Sequence, residues 1–278
     1  MKKRIATGLF VLLTVVPLIL GLGYSLLYSL GLVGLLNHGF TLEHWQKLVQ
    51  DQSIFTTFGY NLYITATSLV FILALALFFS RWLMLYHHKG FYGSLFLPLT
   101  FPPLIAAFSW YYLLSPAGIL SRICYWLGLT EGVNDFPRLV NDFLSAGIII
   151  THIFLVFPLF TILFFHQSKK ERVAELEAMA CTLGSTKGRF FREIYIPLLL
   201  KKTAPFILLY GIFLFGAYEV PLLSGRSSPR MVTVFITEKM TRFNLLDIPQ
   251  GHAMAVLYSL VVIVITLVFT RKSKRMIW

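Results

Sequence analysis

Glu219 is the residue whose type and position most invite a chemical role. It stands in the apolar stretch FGAYEVPLL, two residues before Pro221. A charged group in hydrocarbon costs at least about 2.5–3.5 kcal/mol on insertion scales, so carboxylates kept there face a cavity, a partner or the membrane surface. A proline in the same stretch frees a backbone carbonyl and bends a helix, which suits a lined path. Two readings stay open: contact with a solute crossing the membrane, or a carboxylate that reaches the headgroup interface. The histidines pose another question. His87, His88, His152 and His166 carry metal-ligating rings, but their spacing fits no ligand pattern, and no metal site is expected. No nucleophile is paired with a base at one depth, so no catalytic residue is expected either. The fragment GSTKGRF from Gly184 misses the spacing of the phosphate loop G-x-x-x-x-G-K-[ST], and no other segment matches it. This polypeptide should not hydrolyse ATP.

These residues sit in a chain built for a bilayer. Of its 278 residues 57% are hydrophobic and only 13% charged, about half the share found in soluble domains. Six stretches reach the roughly 20 apolar residues that a crossing needs: 5–27, 58–79, 91–114, 143–165, 203–223 and 251–270. The first follows Met-Lys-Lys-Arg, but its apolar run is too long for a signal core, and it reads as a retained anchor. In the third, Pro98, Pro102 and Pro103 make a regular helix improbable and predict a kinked or broken segment, either lining a cavity or serving as a structural kink. Trp110, Tyr111 and Tyr112 near its end suit an interfacial belt.

The net charge of +12 does not point to nucleic acid, because the basic residues cluster beside the apolar runs. With both termini inside, the inner segments hold 17 of the 24 Lys and Arg residues, which predicts an N-in, C-in protein. Cys124 and Cys181 then fall on opposite sides and should not pair. On the outer side, Thr41 is placed to cap a helix whose Leu42, Trp45 and Leu48 or Val49 share a face, either along the interface or packed on the protein.

The inner segment from His166 to Lys202 is the most informative, with 12 charged residues among its 37. Val173, Leu176, Met179, Ala180 and Leu183 fall on one helical face, opposite Glu171, Glu175 and Thr182. Gly184 offers a helix end and Ser185 a cap for a second helix. That second helix should bring Phe190, Phe191 and Ile194 together before Pro197 ends or bends it. The apolar face needs a cover, from a partner or from the protein's own spans.

Leu183-Gly184, nine residues, and then Ile194-Tyr195-Ile196-Pro197 resemble the cytoplasmic signature of ATP-binding-cassette (ABC) transporter permeases. That signature reads Glu-Ala-Ala, three residues, Gly, nine residues, Ile-x-Leu-Pro. Gly184, Ile194 and Pro197 stand at its spacing, with Ile196 in place of Leu. The front half departs from it: the positions read Ala178, Met179 and Ala180, with the acid one place earlier at Glu177. A loop between the fourth and fifth of six spans, and the segment Phe40–Asn61 leading into the core spans, are similar to the family as well.

The resemblance implies an all-α integral membrane protein, a type I importer permease-like bundle forming one transmembrane domain over 1–278 with its shared core at about 58–270. It implies that the 166–202 loop, through Glu177, Ala180, Gly184, Ile194 and Pro197, couples to a separate ABC ATPase dimer. That dimer would bind ATP and Mg, this chain needing no cofactor. It further implies a second permease subunit, identical or related, and an extracytoplasmic substrate-binding protein approaching 115–141 and 224–250. The location implied is the cell inner membrane. Glu219, Pro221, Pro102 and Pro103 become candidates for the translocation path. By likeness the solute is a polyamine, thiamine, ferric iron or similar. An autonomous secondary transporter is the alternative, but ion-coupling acids deep in several spans are missing from the sequence.

Overall fold

The computed structural model describes residues 2–34, 39–86, 88–132 and 135–277, with side chains from Thr7 to Arg271. Among them the regular structure is all helical. Six helices are long and apolar enough to cross a membrane: Thr7–Ser29, Gln52–Tyr86, Pro103–Trp126, Ala146–Lys170, Lys187–Phe215 and Asp247–Arg271. His87 lies outside the described residues.

The chain divides into two compact units, residues 1–59 with 231–278, and residues 60–230. In the first, α1 (Lys2–Ser29) packs along α14 (Asp247–Ile277), and α13 (Val232–Thr241) lies against the same helix. The ring of Tyr28 stacks on His252 at 4.3 Å, and His252 Nδ1 pairs with Ser25 Oγ at 3.2 Å. The outer helix forms as α2 (Glu43–Gln50), and Thr41 Oγ1 accepts a hydrogen bond from the Glu43 N–H. It is a packed helix: Leu48 is buried with Ile54, Val232, Ala253 and Met254, and Trp45 Nε1 donates to Ser29 Oγ at 3.1 Å. Leu42 and Val49 stay exposed, so only part of the expected stripe is used.

The second unit takes most of α3 (Gln52–Tyr86), then α4 (Lys89–Ser94), α5 (Phe96–Leu99), α6 (Pro103–Leu114), α7 (Ile119–Trp126) and α8 (Ala146–Lys170). After these come α9 (Val173–Thr182), α10 (Lys187–Phe190), a π-helical turn (Phe191–Tyr195), α11 (Ile196–Phe215) and α12 (Glu219–Ser224). The prolines break the third apolar stretch as expected. The chain leaves helical geometry between Thr100 and Pro102, and Pro103 starts α6, where a missing N–H costs nothing. The crossing helix therefore runs over 103–126 rather than 91–114, its first residues being cut off as α4 and α5. The fifth differs too. Its helix begins at Lys187, inside the basic loop, and stops at Phe215. Lys201 and Lys202 are exposed, so their chains reach past the apolar surface and do not interrupt the helix.

Candidate functional site

The 166–202 loop is held between α8 and α11 by a sequence of local devices. Arg172 takes a left-handed backbone, φ 50°, which turns the chain sharply after α8 and starts α9. At the other end Gly184, φ 87°, closes α9: its N–H bonds the Cys181 carbonyl at 3.0 Å, and the Ser185 N–H bonds Ala180 at 2.9 Å. This paired closure needs a residue in the left-handed region, which glycine enters without a Cβ clash. The cap of the next helix is Thr186, not Ser185. Thr186 Oγ1 accepts from the Arg189 N–H at 3.3 Å, and the Ser185 hydroxyl turns to a backbone carbonyl instead.

Pro197 neither ends nor stops this helix. It has no N–H to give Glu193, four residues back, and in a regular α-helix its ring would strike that carbonyl. Widening the preceding turn relieves both problems. The Ile196 N–H reaches back five residues to Phe191, and the helix continues into α11. The wide turn also resets which side chains share a face. Phe190 and Tyr195 are both fully buried, while Ile194, expected beside Phe190, is turned outward.

One face of α9 is committed to the unit itself. Val173 is fully buried among Phe160, Phe164, Phe190, Tyr195 and Leu199, and Ala180 packs against this cluster. Glu177 turns inward too and forms an ion pair with Arg81 of α3; the two side chains are only 13% and 12% exposed. The Arg81 guanidinium lies 5.8 Å from the centre of the Tyr195 ring, and the Tyr195 hydroxyl meets Ser80 Oγ at 2.9 Å. Thus α3, α9 and the π turn converge on one tyrosine. A different apolar edge of α9 is left open. Leu176, Met179 and Leu183 follow each other along the helix, Met179 62% and Leu183 87% exposed. The expected apolar face is divided, half covered by the unit's own helices and half free.

The path candidates lie elsewhere in the same unit. Glu219 is exposed and opens α12, after a break at Gly216–Tyr218 that ends α11. Pro221 therefore does not bend the fifth span. It sits in the first turn of α12, where its N–H would have had no intrahelical acceptor, and its carbonyl accepts from the Gly225 N–H at 2.9 Å. Helix α12 packs on α6, the helix that Pro102 and Pro103 begin, so Glu219 and Pro221 share neighbouring elements with that pair. Nearby, the Arg226 guanidinium stands 5.1 Å from the Tyr60 ring centre and 4.8 Å from that of Phe143. Tyr60 and Ser145 hydroxyls are 2.7 Å apart. Arg226 carried no sequence signal, because its rings come from segments 83 to 166 positions away. His152 is buried alone on α8, with Nδ1 3.4 Å from Ser68 Oγ. Among the described residues no three His, Cys, Asp or Glu side chains converge as a metal cage.

Six apolar helices, a third stretch broken by prolines and a helical loop ahead of the fifth crossing define a multi-pass membrane protein with the fold of an ABC importer permease. Two solved structures carry that likeness. One is a bacterial ABC transporter involved in import of the acidic polysaccharide alginate, with TM-score 0.78 at 16% identity over 99% of this chain and 94% of that one. The other is a bacterial alginate ABC transporter in complex with a pentasaccharide-bound periplasmic protein, with TM-score 0.73 at 18% identity, covering 99% and 93%. No family model matches the sequence, and no curated protein matches it closely enough to count as a relative.

Proposed function

We propose that the chain is the membrane-spanning subunit of an ATP-driven importer and that α9 docks on a separate ATPase. The observation that carries this reading is the open ridge of Leu176, Met179 and Leu183. It stands on a helix whose other side is fixed by Val173, Ala180 and the Arg81–Glu177 pair. A ridge that is apolar, exposed and rigidly backed calls for a partner surface. Motion of that partner would pass into α3 and α11 through the same fixed contacts. The fold supports the reading, and the basic residues around the loop favour its cytoplasmic placement.

In this reading the ATPase dimer supplies ATP and Mg, a second permease completes the path, and a periplasmic protein delivers cargo. One of the similar transporters was solved with such a protein. The solute follows the sequence resemblance, a polyamine, thiamine or ferric iron compound, because an exposed carboxylate at Glu219 attracts a cation. Alginate, carried by the two similar transporters, is a polyanion that Glu219 would repel. Uptake of labelled polyamine or thiamine that falls in Glu219→Gln supports the cationic class; alginate-derived oligosaccharide uptake unaffected by Glu219→Gln overturns it.

The coupling claim is tested by co-purification. Deleting 173–197, or changing Gly184 to Pro, is expected to abolish ATPase association and transport while the chain still inserts in the membrane. Association that persists after the deletion refutes docking through α9.

A further inference from the structure

At the end of the second unit that carries the 166–202 loop, α3, α4 and α8 enclose an open cavity of about 400 Å³. Its floor is Leu83 and Phe165, packed with Leu95. Its polar walls are His88, Lys89, Tyr92, His166 and Lys169, and among the described residues no carboxylate lines it. The sequence separates these groups by up to 81 positions, and their convergence is a product of the fold.

The aromatic residues hold the basic groups in place. His88 stacks on Trp82 with ring centres 4.9 Å apart and planes 19° off parallel. The Lys169 ammonium sits 4.3 Å from the centre of the Phe165 ring, and the Tyr92 hydroxyl meets His166 Nε2 at 2.9 Å. Two ammonium groups sharing one cavity repel each other, and an anion placed between them converts that repulsion to attraction. The donors are all N–H or O–H groups, the set that phosphate oxygens take.

Depth identifies the source of the anion. Helix α3 has 35 residues and so spans about 52 Å, against a hydrocarbon core of about 30 Å. Its last turns, with Trp82 and Tyr86, therefore reach headgroup level, as do Lys169 and Lys170 in the last turn of α8. Next to the cavity the ring of Phe96 meets that of Tyr92 at 5.6 Å and is itself exposed, an apolar surface for acyl chains. We propose that the cavity binds the phosphate of an anionic phospholipid headgroup, with Lys89 and Lys169 pairing to its oxygens and the His88 and His166 rings adding hydrogen bonds. Basic pockets between spans on the cytoplasmic side favour such lipids.

The choice of inner leaflet rests on the cytoplasmic placement of the loop, but lipid binding needs no ATPase, so either reading can fail while the other stands. The test uses the full chain, delipidated in neutral detergent and titrated with phosphatidylglycerol or phosphatidylcholine while retained lipid is read by native mass spectrometry. Phosphatidylglycerol should be retained in preference, and K89Q/K169Q should weaken that retention about 30-fold, each lysine contributing about fivefold. K170Q/K201Q, which removes equal charge from exposed sites at the same end, should weaken it several-fold less than K89Q/K169Q does, and an equal loss in the two variants overturns the cavity as the site. Equal retention of phosphatidylcholine, or wild-type retention by K89Q/K169Q, overturns the proposal. Displacement of the lipid by glycerol phosphate at comparable concentration would assign the cavity to a free phosphate compound and overturn the lipid source.

Discussion

Arg81 and Glu177 lie 96 positions apart in the chain and meet where little water reaches them. Removing one partner strands the other charge, at a cost of about 3–5 kcal/mol for a fully buried pair, and the residual exposure here trims that figure. Glu177→Gln is therefore expected to lower the thermal unfolding midpoint in detergent, and R81Q/E177Q to recover part of the loss. An unshifted midpoint in Glu177→Gln would mean that the pair does not fasten α9 to α3. Nothing in the sequence links these two residues, since each is one charge among several near the ends of spans. The resemblance put Glu177 in the coupling loop, one place before the family's acid, and its carboxylate turns to Arg81 of α3. The same limit hid the cavity at His88 and His166. Each histidine has a bland local context, and only the packing of α4 on α8 brings them together.

For elements, the sequence was legible wherever a covalent rule acts over a few residues. Pro102 and Pro103 marked the break before α6, and Gly184 marked the end of α9. The rotation after Phe190 was not legible. Periodic reading assumes 100° per residue, and the π turn ahead of Pro197 breaks that assumption, turning Ile194 out and Tyr195 in. The division of α9 into a bound and an open edge also needed the fold, because both edges are apolar in sequence. That division makes a separable prediction. Met179 and Leu183 contribute little to the unit's own packing, so M179D/L183D should change its stability by no more than about 0.5 kcal/mol per site. The same variant should lose ATPase co-purification and transport, because a carboxylate buried at a docking surface without a partner is costly. Retained co-purification with a normal unfolding midpoint would remove α9 from the coupling surface. A collapsed midpoint would instead show that the ridge is part of the unit's own core.

At the scale of the whole molecule the question is which side of the membrane each loop occupies, and two native cysteines answer it. Cys181 is exposed on α9, and Cys124 is partly exposed on α7. The charge bias, 17 of 24 basic residues on one set of segments, predicts Cys181 inside and Cys124 outside. Lys and Arg are kept on the cytoplasmic side during insertion, so this bias acts on the topology of the entire chain and not on one helix. Single-cysteine variants made by C124S and C181S separate the two signals. A membrane-impermeant maleimide added to intact spheroplasts should label Cys124 and spare Cys181, and inverted vesicles should reverse the pattern. Labelling of Cys181 from the outer face would put the open ridge of α9 where no ATPase can reach it. The lysines of the cavity would move to the outer leaflet with it. Both consequences follow from one result because α8 carries Lys169 and leads directly into α9, so a single crossing fixes the side for both.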